Sequence, residues 1–203
     1  MNKLLSSIFF CLLLASPVFL SSCSEENDEE DEYANWKERN DGQTDQWATR
    51  ASSGTYRKIL TYAKSESVSG LTNSDYIYVE EVEKGSGMES PIYTDNVRVA
   101  YRGRYIPTKS YPEGYVFDQT FLGNFDWKTA NMIDASPEGL VEGFSTALMH
   151  MHEGDRWIVH IPYQLGYGTS TSAGIRAYSD LTFDIALLEF WPQGEERGKF
   201  KSR

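Results

Sequence analysis

The chain has 203 residues, with 30 Asp and Glu against 19 Lys and Arg, a formal net charge of −11 and two cysteines. An acidic chain without clustered Lys and Arg excludes nucleic acid as a partner, because phosphate backbones are bound by basic patches. Two cysteines exclude a disulfide-stapled scaffold, and the length suits one domain of roughly 120 residues plus an N-terminal extension.

Residues 1–22 carry a single Lys near the start, continue through "IFFCLLLASPVFL" and end in small residues. This is the arrangement of a secretory signal peptide rather than of a membrane span. Leu20-Ser21-Ser22-Cys23 resembles the bacterial lipobox, in which the Cys is lipidated and becomes the first mature residue. Cys11 falls inside the signal, so Cys23 is left without an intramolecular partner, and a lipid anchor accounts for it. Seven of the eight residues from Glu25 to Glu32 are acidic, and like charges at that density repel, so residues 23–32 read as a solvated tether. Similar acidic runs follow the lipidated Cys of Bacteroidetes-type lipoproteins. The resemblance implies an exported lipoprotein anchored to the outer membrane, periplasmic or surface-exposed.

Residues 33–70 form a polar N-terminal extension with scattered aromatics. Tyr56, Ile59, Leu60 and Ala63 follow an i, i+3, i+4, i+7 spacing that predicts one amphipathic helix there. Trp36 and Trp47 could dock on the main domain or serve an assembly, and docking with that helix on its own domain is the expectation.

From residue 71 to 192 the pattern changes to strands and turns. "DYIYVEEVEKGSG" places β-branched and aromatic residues before a Gly-Ser-Gly turn. In "NVRVAYRG", Val97, Val99 and Tyr101 alternate with Arg98, Ala100 and Arg102. Phe144, Ala147, Leu148 and Met151 share one face of a short helix, with Ser136-Pro137 as its cap and first turn. "DRWIVHIP" and "DLTFDIALLEF" alternate again. Several half-buried strands with one helix predict an α+β fold, an antiparallel sheet with one face packed on a helix. Residues 193–203 are a polar tail.

The ordered set "VRVAYRG", "GYVFDQT", "LVEGFSTALMHMHEGDRWIVHIPYQLGYG" and "GIRAYSDLTFDIALL" resembles the FKBP-type peptidyl-prolyl cis-trans isomerases over residues 75 to 191. The resemblance implies a strongly curved antiparallel sheet wrapped around the short helix, with a shallow aromatic pocket between them. Carried over by position, Tyr101, Phe117, Asp118, Phe144, Tyr167 and Phe183 are its catalytic residues, and Leu140, Val141 and Ile175 bind substrate. Phe144 is the floor, where the family has Trp, and Tyr167 is the rim. An aromatic that the family usually places before the helix has only Asn131, Met132 or Ile133 to fill it here. The stretch from Gly103 to Phe117 is longer than usual, and Ile175-Arg176-Ala177 replaces the family's Ile-Pro-Pro.

The implied activity is prolyl isomerisation of proline-containing segments of exported proteins. A dry aromatic pocket disfavours the polar planar amide relative to the twisted one, and needs no cofactor, metal or nucleophile. A second reading is a non-catalytic FKBP-like peptide-binding module or holdase, and a weaker third is an accessory lipoprotein of nutrient uptake. His150 and His152 do not share a helix face, so a zinc site is unsupported. Ser145 in "GFSTA" is not a nucleophile elbow.

Overall fold

A computed structural model describes residues 32–196. The signal peptide, Cys23 and nearly all of the acidic tether lie outside the described residues, as does the end of the tail. Helix α1 spans Trp36–Ser52 and is followed by β1, Arg57–Leu60. Strands β2, Tyr76–Glu83, and β3, Asn96–Tyr105, come next. Two short strands follow, β4 at Val116–Gln119 and β5 at Ile133–Ala135. Helix α2, Glu142–Leu148, leads into β6, Arg156–Ile161, and β7, Leu181–Trp191, closes the fold. The seven strands form one antiparallel sheet in the order β1-β2-β6-β7-β3-β4. β5 shares the edge of β3 with β4: β4 lies against Arg102–Arg104 and β5 against Val97–Val99.

Registers explain the alternation. Val79, Val159 and Phe183 stand in one row across β2, β6 and β7, and Glu81, Trp157 and Ile185 in the next. Apart from the exposed Glu81 near the end of β2, these residues are buried together with Phe144, Ala147 and Leu148 of α2 and with Met151 beyond its end. Each such large side chain contributes about 1.5–3 kcal/mol by leaving water. The helix lies close to the sheet because residue 143 is Gly; a Cβ there would meet Ile161 Cγ2 at 2.4 Å.

The opposite face carries Tyr78, His160 and Thr182 in one row, and α1 covers it. Trp47 stacks on the His160 ring at 4.9 Å, and Tyr56 stacks on it at the same distance. His160, on the polar side of its strand, is therefore buried. Trp36 donates from Nε1 to Ser179 Oγ at 2.9 Å. Both tryptophans dock α1 on the sheet, as expected of them.

Two local expectations need correction. The extension is helical, but its helix is Trp36–Ser52, and the segment bearing Tyr56, Ile59 and Leu60 is strand β1 with the turn before it. Gly54, at φ 81°, lies just beyond the helix, and the backbone then pairs with β2 from Arg57↔Val79 to Leu60↔Tyr76. Arg57 lies 4.3 Å over the Trp157 ring and Lys58 3.7 Å over Tyr76, so the cationic residues of the supposed polar helix face cover aromatic rings instead. Likewise, Ser136-Pro137 begins a separate 3-10 turn, Pro137–Gly139, and α2 starts after Val141. Pro fits the first position of that turn, where no N–H is needed.

Candidate active site

The cavity between sheet and α2 has a volume of about 290 Å³. β3 supplies Val99 and Tyr101, β4 Phe117 and Asp118, and β5 Ile133 and Ala135. Gly139, Leu140 and Val141 come from the turn before α2, Phe144 from its first turn, and Tyr167 and Phe183 from the far wall. The division of the β3 edge opens this space. The chain leaves the sheet after β4, held by Thr120 N–H to the Tyr101 carbonyl at 2.9 Å, and returns as β5. Tyr101 thus stands at the gap.

Four rings pack edge to face. Phe144 lies 5.0 Å from Phe183 and 5.8 Å from Tyr101, and Phe117 lies 5.6 Å from Phe183. Such edge contacts fix orientation as well as adding about 0.5–1.5 kcal/mol each. Phe144 is almost wholly buried and forms the floor. The arrangement depends on Gly103, because a Cβ there would lie 2.5 Å from Phe117 Cζ and 2.6 Å from Phe183 Cε1.

The polar groups sit at the mouth. The Tyr101 hydroxyl donates to Asp118 Oδ2 at 2.6 Å. Burial, then the hydrogen bond to Asp118, push the Tyr101 hydroxyl well above the usual phenol range. Burial, with the nearby Asp118 charge, also raises that of Tyr167. Both phenols therefore remain protonated donors at neutral pH. Tyr167 lines the cavity and makes no hydrogen bond among the described residues.

Of the residues expected at the site, Tyr101, Phe117, Asp118, Leu140, Val141, Phe144, Tyr167 and Phe183 meet on this cavity. Ile175 does not. It is buried in the hydrophobic core, tied by paired backbone bonds to Ser172, because this tight loop folds its side chain inward. Among Asn131, Met132 and Ile133, it is Ile133 that reaches the wall. Val99 carries only the signal of a strand apolar residue in the sequence, and Ala135 carries none, since alternation does not distinguish a cavity wall from core. Among the described residues no group of three or more His, Cys, Asp or Glu is placed to hold a metal ion.

A curved antiparallel sheet that holds an aromatic cavity against one short helix defines the class of fold. Residues 87–188, half of the chain, match the family described as FKBP-type peptidyl-prolyl cis-trans isomerase. The chain belongs to that family. It is 33% identical over 119 residues to the macrophage infectivity potentiator of Trypanosoma cruzi, covering 58% of this chain and 55% of that protein. It is 30% identical over 128 residues to the FKBP-type 22 kDa peptidyl-prolyl cis-trans isomerase of Escherichia coli K12, covering 63% and 55%. The chain spans about half the length of the curated relatives it matches. Among solved structures, FkpA from Escherichia coli superposes with a TM-score of 0.53 at 24% identity, over 82% of this chain and 64% of that one. A peptidyl-prolyl isomerase from Pseudomonas syringae does so at 0.53 and 21%, over 76% and 95%. These two likenesses concern the fold.

Proposed function

We propose that the protein is a peptidyl-prolyl cis-trans isomerase acting on proline-containing segments of exported proteins. The observation that carries this is the aromatic cavity floored by Phe144, with two protonated phenols and one carboxylate at its mouth. A peptide bond resists rotation by about 18–20 kcal/mol because of its partial double bond, and the twisted amide loses much of its carbonyl dipole. A prolyl ring seated on Phe144, between Tyr101 and Phe183, places the amide where water cannot solvate the planar form. That loss weighs more on the ground state than on the twisted state, and each ~1.4 kcal/mol of difference is tenfold in rate. The Tyr167 hydroxyl binds the carbonyl oxygen, and Asp118, oriented by Tyr101, faces the carbon end of that dipole.

Lipid attachment at Cys23 and an acidic tether fit the same reading, holding the enzyme at the outer membrane among newly exported chains. No helix of the described residues is long and apolar enough to cross a membrane. Cys23→Ser should release the protein from the membrane fraction, and continued tight association would sink the anchor.

The test is prolyl cis/trans exchange by NMR on short Xaa-Pro peptides with the full chain. Acceleration that is lost in Phe144→Ala supports the enzyme. Binding without acceleration supports instead a peptide-binding module or holdase, a reading favoured by Phe144 being smaller than the family's Trp.

A further inference from the structure

A second and larger cleft, about 550 Å³, adjoins the prolyl cavity. Its walls are Tyr33 from the N-terminal segment, Tyr111 and Tyr115 from the long connection between β3 and β4, and Arg176 from the loop before β7; Tyr105 is its floor. That size lies in the range of pockets that enclose most of a small ligand. None of these residues belongs to the prolyl cavity, yet the two sites share a wall. Tyr105 packs 5.3 Å from Phe117 on one side and 6.0 Å from Tyr115 on the other, and Tyr115 meets Tyr111 at 5.1 Å. A row of rings therefore runs from Phe183 in the cavity out to Tyr111.

The cleft is built before any ligand arrives. Glu32 accepts from the Ser110 amide at 2.9 Å and from its hydroxyl at 2.8 Å. Arg39 reaches the carbonyls of Glu32 and Pro107 at 2.8 and 3.2 Å, and the Tyr105 amide donates to the Tyr115 carbonyl at 3.0 Å. Opposite, the Arg176 amide donates to the Tyr105 hydroxyl at 3.0 Å, and its guanidinium lies 4.0 Å over Tyr33. With the Glu32 carboxylate satisfied by Ser110 and the Arg176 guanidinium laid over Tyr33, the lining that meets a ligand is chiefly tyrosine faces and hydroxyls, with Thr171 and Gly174 beside them. Tyrosine offers large rigid contact area at low entropy cost, which suits an uncharged aromatic side chain on an extended backbone.

We propose that this cleft is a second subsite of the same polypeptide groove, taking an aromatic client residue about three positions from the isomerised proline, a spacing that ~3.3–3.6 Å per extended residue gives for the path from Phe117 to Tyr115. The inference rests on the prolyl-cavity reading above, and its occupant follows from continuity: a chain that leaves the cavity past Phe117 runs onto Tyr105 and Tyr115.

The test uses the full chain and Xaa-Pro peptides carrying Phe three residues before or three residues after the proline, each with a Ser counterpart. Exchange NMR gives kcat/KM and fluorescence anisotropy gives Kd. In one placement, Phe is expected to improve both about tenfold over Ser. That ratio should fall to about one in the Tyr111→Ala/Tyr115→Ala double variant; both residues are exposed, so the core stays closed, and thermal unfolding checks this. A Phe-to-Ser ratio near one in the unmodified protein, or one unmoved by the double variant, overturns the subsite. If Phe improves Kd but no peptide isomerises, the cleft stands and the isomerase reading falls. If all peptides isomerise equally, the isomerase stands and the cleft falls.

Discussion

Tyr101 and Asp118 are joined across the β3–β4 pair by a 2.6 Å hydrogen bond in which the phenol donates to the carboxylate. Asp118 stands opposite Gly103, and Tyr101 is two residues back on the same face of β3, so both groups project toward the cavity. The contact aims the carboxylate and spends the Tyr101 donor, while Tyr167 lines the same cavity with no hydrogen bond to it among the described residues. Tyr101→Phe is expected to keep the fold at a cost of about 1 kcal/mol, since the pair is half open to water. Prolyl exchange should slow about tenfold as Asp118 loses its orientation. Urea unfolding and exchange NMR on one preparation separate the two effects, and an unchanged exchange rate would remove Asp118 from the mechanism.

Gly103 sits where the Phe117 and Phe183 rings converge. Gly103→Ala forces both rings to move, an overpacking that costs about 1–3 kcal/mol. The displaced rings narrow the cavity, so peptide affinity should fall in anisotropy while the far-UV spectrum stays that of the unmodified chain. Unaltered affinity would mean that the two rings are not the wall a substrate meets.

Trp47 shields His160 from water. Burial lowers the pKa of this imidazole, partly offset by Glu80, so the folded state resists protonating it. The sign follows: stability linked to His160 is complete above the ordinary value near ~6.5 and is lost as pH falls below it. Trp47→Ala is expected to cost about 3–5 kcal/mol, the usual range for truncating a buried large aromatic. It should also raise the His160 pKa toward its ordinary value, read by NMR titration. A pKa that stays depressed would assign the shift to the sheet rather than to the helix.

Asp180 gives the opposite slope. Its carboxyl accepts from the Thr44 hydroxyl and the Tyr163 amide, both at 2.8 Å, and burial pushes its pKa up to about 7 in spite of these donors. Between about 4 and 7 the unfolded chain has lost this proton while the folded one retains it, so stability falls as pH rises through that window, by up to ~1.4 kcal/mol per unit. Asp180→Asn removes the titration. The difference between the two stability curves should therefore change steadily from pH 4 to 7 and flatten above, while the His160 contribution cancels. A flat difference curve would show that Asp180 is already ionised at pH 4.

The alternation in β3, β6 and β7 was legible because one face of each meets α2 and the residues there must be apolar; α2 itself showed in Phe144, Ala147 and Leu148 for the same reason. Helix α1 was not legible. Its buried residues are Trp36, Asn40, Thr44 and Trp47, and the two polar ones are inside only because distant groups satisfy them. The Asp180 amide donates to Asn40 Oδ1 at 2.8 Å, and Thr44 reaches the Asp180 carboxylate. Tyr56, Ile59 and Leu60 had helical spacing by coincidence, and pairing with β2 decided their conformation.

At the site, Tyr101, Phe117, Phe144 and Phe183 stood out through the order of family motifs, since singly each is an ordinary core aromatic. The sequence by itself determined the fold class, the run of strands about one short helix, and the residues that make an aromatic floor. These follow from local patterns of burial and from motif order along one chain. Only the tertiary structure decided that Ile133 lines the cavity while Ile175 turns into the core. It alone brought Tyr33, Tyr111, Tyr115 and Arg176 to one cleft. Hydropathy records whether a side chain leaves water; which distant partner it meets is set by strand register and loop geometry, and neither is written in any short window of residues.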